Sequence, residues 1–213
     1  MVNEQLRQDL LAMQAEDRSV RQELVDSGEL GGPYVPRMED VHRKNAERLR
    51  EILELFGWPT VDIAGQDGAE AAWLIAQHAI GEPDFQRRVL ALLRACVAEN
   101  RVPAWHAAYL EDRVAMHEGR PQRYGTQWVQ DPTDGCYRPW TLADADHVDD
   151  LRGSVGLSPM QPIPDMGPAL PRETREEIEA NNRWWRQWFI AEVGASRMRT
   201  RPAAEMEADP ASV

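Results

Sequence analysis

Apolar residues recur in helical steps along the first 157 positions, and each run is closed by glycine or proline, a pattern that commits the chain to packed helices. Segment 3–26 shows it first. Leu6, Leu10, Met13, Asp17, Val20 and Leu24 follow one another at steps of four and three, so they line one face. The Gly- and Pro-rich stretch 28–36 ends that helix. A second helix is expected over 39–56, with Met38, His42, Asn45, Leu49, Ile52 and Phe56 in its stripe and Gly57 as its stop. Segment 68–80 is apolar nearly all round, the mark of a helix in the middle of a bundle. Further helices are expected over 82–99 and 103–117, the last opening on Pro103 in the favoured first turn.

After 117 the period changes. Segment 124–130 alternates, Asp-Pro-Thr-Asp-Gly supplies turn chemistry, and Cys-Tyr-Arg-Pro-Trp alternates again, which predicts a β-hairpin. A short helix over 144–153 closes the main domain, 1–157. The fold class is therefore mainly α, a bundle of five to six helices with one small hairpin. Segment 158–171 carries five prolines and predicts an extended strap. A Trp-rich helix is expected over 172–194, with Trp184, Trp185 and Trp188 on a stripe that docks on the bundle, on a second copy or on a protein partner. The remaining 195–213 has no period and is expected to be a disordered tail.

Lys and Arg number 24 against 36 Asp and Glu, a net charge of −12. That balance argues against nucleic acid and against an anionic membrane surface. No apolar run approaches the ~20 residues a membrane span needs, and the amino terminus lacks a signal-peptide pattern. Two cysteines, Cys96 and Cys136, are too few for a disulfide framework. A cytoplasmic protein without a cofactor is the expectation.

Polar residues interrupt three of the apolar stripes. Asp17 stands in the first, with Arg21 one turn on as its local partner; the alternative to a functional role is a structural ion pair. His42 and Asn45 interrupt the second stripe, and Gln77 and His78 the third. If these faces meet, Asp17, Arg21, His42, Asn45 and His78 converge on one internal polar site. The fifth helix adds Asp112 and Arg113, for which a salt bridge is the plainer alternative. Segment 122–127 groups Gln122, Tyr124, Thr126 and Gln127 around Gly125, whose lack of a side chain permits close approach or an unusual dihedral; the plainer alternative is the entry to the hairpin.

The runs Leu-Phe-Gly-Trp-Pro (55–59), Ala-Ala-Trp-Leu-Ile-Ala-Gln-His-Ala (71–79), Ala-Tyr-Leu-Glu-Asp-Arg-Val (108–114), Tyr-Gly-Thr-Gln (124–127) and Val-Gly-Leu (155–157) resemble a bacterial family catalogued as domain of unknown function 6624. The early pair Asp17 and Arg21 is similar too, and the resemblance covers about residues 10–157. It implies a helical bacterial protein and points, position by position, to Gln77, His78, Asp112, Arg113, Tyr124, Thr126 and Gln127. It supplies no reaction. The proline strap and Trp-rich helix depart from its common core.

These residues suggest an enzyme that performs hydrolysis or elimination on a small molecule or peptide. His78 is its acid–base group. Asp112 or Asp17 orients it, Arg113 or Arg21 holds an anionic group, and Tyr124 and Gln127 position the substrate. No nucleophile motif is present. A zinc or iron version would draw on Asp17, His42, His78 and Asp112, although no H-E-x-x-H pair is present. The other class is a non-catalytic accessory or regulatory protein that acts through the Trp-rich helix and keeps the polar cluster for fold specificity.

Overall fold

A computed structural model describes residues 2–29, 34–130 and 136–160, with single helical positions between 176 and 191. Trp184, Trp185 and Trp188, most of the proline strap and the tail fall outside the described residues.

Among the described residues, five long helices and one short one carry the fold: α1 (Glu4–Asp26), α2 (Pro36–Phe56), α3 (Val61–His78), α4 (Pro83–Ala98), α5 (Ala104–His117) and, after a hairpin, α6 (Val148–Ser154). The mainly α architecture with one hairpin is thus as the periodicity predicts. Asn3 caps α1 by accepting the Leu6 N–H on its side chain at 3.1 Å. Pro36 and Pro83 occupy the first turns of α2 and α4, where no intrahelical N–H is needed. The start of α3 is the main boundary that periodicity misses. The helix begins at Val61 rather than near 68 and bends at Gly65, whose φ of 72° only glycine adopts readily. The side chain of Arg7 packs against that bend and forks onto Asp67, with Nε to Oδ1 at 2.7 Å and Nη2 to Oδ2 at 2.5 Å, tying α1 to α3.

α3 packs against α1, α2, α4 and α5, the central position its all-round apolar character demands. Its small residues Ala64, Ala71, Ala72 and Ala76 are buried and let the neighbouring helices approach closely. Around them close Leu6, Leu10, Leu49, Ile52, Ile75, Phe85, Val89, Leu93 and Leu110. Leu24, Met38 and Val41 form a second, separate apolar cluster at the far end of α1 and the start of α2. Asp17 lies between Leu10 and Leu24 on α1, and His42 and Asn45 lie between Val41 and Leu49 on α2. A polar layer therefore divides the apolar interior in two.

The hairpin is smaller than alternation suggests. Strands β1 (Trp128–Gln130) and β2 (Tyr137–Pro139) pair antiparallel, with Trp128 opposite Pro139 and Gln130 opposite Tyr137. Residues 124–126 do not join it, because the Tyr124 and Thr126 N–H groups go to Asp112, whereas the Gln127 carbonyl still accepts the Trp140 N–H at 2.9 Å. Among the described residues no helix is long and apolar enough to cross a membrane.

Candidate active site

Asp17 is 1% exposed, yet no arginine lies within ion-pair distance of it among the described residues. Arg21 lies on the exposed side of α1, where its guanidinium keeps its water, and the expected Asp17–Arg21 pair does not form. Two imidazoles meet the carboxylate instead. His78, at the last turn of α3, donates Nδ1–H to Asp17 at 2.9 Å (Oδ2) and 3.0 Å (Oδ1). His42, from α2, places Nε2 3.2 Å from Oδ2, at an angle that makes no hydrogen bond. The two rings lie 5.3 Å apart between centroids. Three polar interruptions on three helices thus share one centre.

The electrostatics follow from burial and contact. Desolvation alone would raise the Asp17 carboxyl, but the two imidazoles drawn up to it hold it well below the usual carboxylate range. Burial lowers His42, against the pull of Asp17 and with the charges of His78 and Arg113 adding to it. His42 Nδ1 shares a 2.5 Å hydrogen bond with the Tyr34 hydroxyl. Burial raises the Tyr34 phenol, so it stays protonated. His78 is the open edge of the centre, with 30% of its side chain exposed.

Gln77 and Arg113 form the neighbouring pair. Arg113 donates Nε–H to Gln77 Oε1 at 2.9 Å, which fixes the amide so that its Nε2 points elsewhere; that nitrogen is buried and unbonded. No carboxylate lies within ion-pair distance of Arg113 among the described residues, and the salt bridge with Asp112 is not formed. Burial pushes the Arg113 guanidinium down to about 10, still charged at neutral pH.

Asp112 does different work from the orienting role the sequence suggests. It is 0% exposed and points from α5 into segment 123–126. It accepts the N–H groups of Arg123 (2.7 Å), Tyr124 (3.1 Å) and Thr126 (3.0 Å), and the Thr126 hydroxyl (2.9 Å). Gln122 completes the loop by accepting the Gln127 N–H at 2.8 Å and donating to the Gln127 carbonyl at 2.9 Å. The Gln127 amide donates to Thr126 Oγ1 at 3.1 Å. Gly125 has φ of 65°, and a Cβ there would sit 2.7 Å from the Met160 sulfur, so both reasons for glycine apply. Arg152 donates to the Tyr124 carbonyl at 2.7 Å, and the buried Tyr124 ring lies 5.4 Å beneath the Arg123 guanidinium.

The structure therefore sorts the candidates into groups. Asp17, His42 and His78 converge; Gln77 and Arg113 pair beside them along α3 and α5. Tyr124, Thr126 and Gln127 belong to the loop that Asp112 anchors. Asn45 braces α2 to α1 through the Met13 carbonyl at 3.4 Å. Arg21 stands apart. Sequence reasoning missed Tyr34, and it read Gln122 only as one of two amides around Gly125. Tyr34 is the one aromatic in the Gly- and Pro-rich stretch, a signal available in the sequence.

Fold and centre together define a helical bundle with a buried two-histidine, one-aspartate cluster at its polar layer. The chain belongs to a family of unknown function, DUF6624, whose match spans residues 4–164. No curated protein and no solved structure matches the chain.

Proposed function

We propose that the chain is an enzyme that performs hydrolysis or elimination on a small anionic molecule or peptide at the Asp17–His42–His78 centre. The observation that carries this reading is a buried carboxylate holding by Nδ1 an imidazole whose ring still reaches solvent. Asp17 fixes the His78 tautomer, and the outer nitrogen, Nε2, is left to take or give a proton. Arg113 and the unbonded Gln77 amide are the donors for an anionic group of the substrate. Arg113 is half-buried and has no carboxylate at ion-pair distance among the described residues, so an arriving anion would be its charge partner.

The test is a panel of phosphate esters, carboxylic esters and peptides, followed by NMR with the full chain. Turnover by the wild type should fall about a hundredfold or more in His78→Gln. In Arg113→Met the main change should be a higher KM. Turnover equal in His78→Gln and wild type, or none across the panel, contradicts the reading.

A further inference from the structure

We propose that Asp17, His42 and His78 bind one divalent first-row transition ion, zinc or ferrous iron, with coordination positions left open for water or substrate. Two imidazoles and one carboxylate are the donor types such ions prefer, and here they come from three separate helices. Each residue offers a ligand atom within 4.8 Å of the other two. Ligand atoms about 2.1 Å from a shared ion stand roughly 3.0–3.4 Å from one another. Asp17 Oδ2 lies 2.9 Å from His78 Nδ1 and 3.2 Å from His42 Nε2, close to that spacing.

The orientation of His42 is the second observation. Its Nε2 is buried 3.2 Å from a carboxylate oxygen, poorly aligned for a hydrogen bond with it. A cluster built only for hydrogen bonding has no reason to leave that nitrogen misaligned, because an unpaired buried polar atom is destabilising. Lone pairs directed at an ion between the groups account for the offset. The other nitrogen, Nδ1, is held by the Tyr34 hydroxyl at 2.5 Å, the kind of outer partner that fixes the tautomer of a ligating histidine. His78 supplies the way in, since it is partly exposed where Asp17 and His42 are not.

An ion at His78 Nδ1 displaces the proton that this nitrogen shares with Asp17 in the ion-free chain, which moves to Nε2 or to solvent. The inference rests on the enzyme reading only for the use made of the ion: a water bound to it takes over the acid–base role otherwise held by His78. Arg113 then faces an anion that also reaches the ion.

The experiment uses the full chain, stripped with a chelator and dialysed against zinc, and in parallel against cobalt(II). The expected result is one ion per chain by elemental analysis and a visible cobalt absorption band of a nitrogen- and oxygen-ligated site. His42→Ala and His78→Gln should each weaken binding by roughly tenfold or more. His147→Ala and Cys136→Ser, at exposed groups elsewhere, should leave the stoichiometry unchanged. The cobalt band of the wild type needs no variant, and circular dichroism separates lost binding from lost folding. No retained ion, or an ion retained undiminished by both histidine substitutions, overturns the site. Turnover by a wild-type chain that retains no ion removes the ion site and leaves the enzyme reading. One ion bound with no turnover on the panel does the reverse.

Discussion

Asp17 and Asp112 are both buried carboxylates on long helices, and their partners separate them. Asp112 faces backbone N–H groups and a hydroxyl of one loop, groups that need an acceptor and can do nothing else. Asp17 faces two imidazoles, groups that can carry a proton or a metal ion. Burial is nearly the same at the two sites, at 0% and 1%. A buried charge therefore says nothing about role until its partners are named. On this reading Asp112 holds the structure together and Asp17 is held ready by it.

Predictions that sharpen the contrast run from large effects to small. Asp112→Ala strands the donors of segment 123–126 and should cost about 3–5 kcal/mol. The thermal midpoint should drop by roughly 10 °C. Differential scanning calorimetry checks it, and a drop under about 2 °C would place Asp112 outside the architecture.

Acid should act through another buried residue of α5. His106 on α5 is 4% exposed, stacks on Trp73 at 5.0 Å, and burial pushes its imidazole down from 6.5 to about 4. The unfolded chain then takes up a proton that the folded chain refuses between those pH values. Stability consequently falls as pH drops from 6.5 towards 4, by roughly 3 kcal/mol from this group. His106→Phe should flatten that limb of a midpoint-against-pH plot, and an unchanged slope contradicts the assignment.

Asn45→Ala is the smallest change. Its one hydrogen bond to the Met13 carbonyl is long, at 3.4 Å, so the cost should stay near 0.5–1 kcal/mol by order of magnitude. Activity and ion content should not move. Loss of either would extend the centre to a fourth residue.

The sequence made much of this legible, and physics explains the rest. Helical periodicity identifies the long helices and the central place of α3, because burial of one face is what spaces apolar residues by three and four. The same logic flags Asp17, His42 and His78, since a polar residue in an apolar stripe must meet a partner. The identity of the partner is harder to read, because it depends on how the helices rotate about their axes. Arg21 is near Asp17 in sequence and stays in solvent, whereas His42 and His78 reach it from other helices. Asp112 deceives for another reason. Its partners are main-chain N–H groups, which every residue except proline carries and which leave no mark in the sequence. The extended start of α3 was hidden by Gly65 and Gly68, residues that argue against helix until Arg7 is seen packed on them.

The most direct test of the contrast is the thermal midpoint of the combined variant Asp17→Val, His42→Leu, His78→Leu, measured in chelator beside wild type and Asp112→Ala. These substitutions join the two apolar clusters that the polar layer now divides. The account predicts a midpoint at or above that of wild type, with Asp112→Ala far below both, because a centre kept for chemistry is not what holds the helices together. A fall comparable to that of Asp112→Ala would contradict it and make Asp17, His42 and His78 part of the architecture.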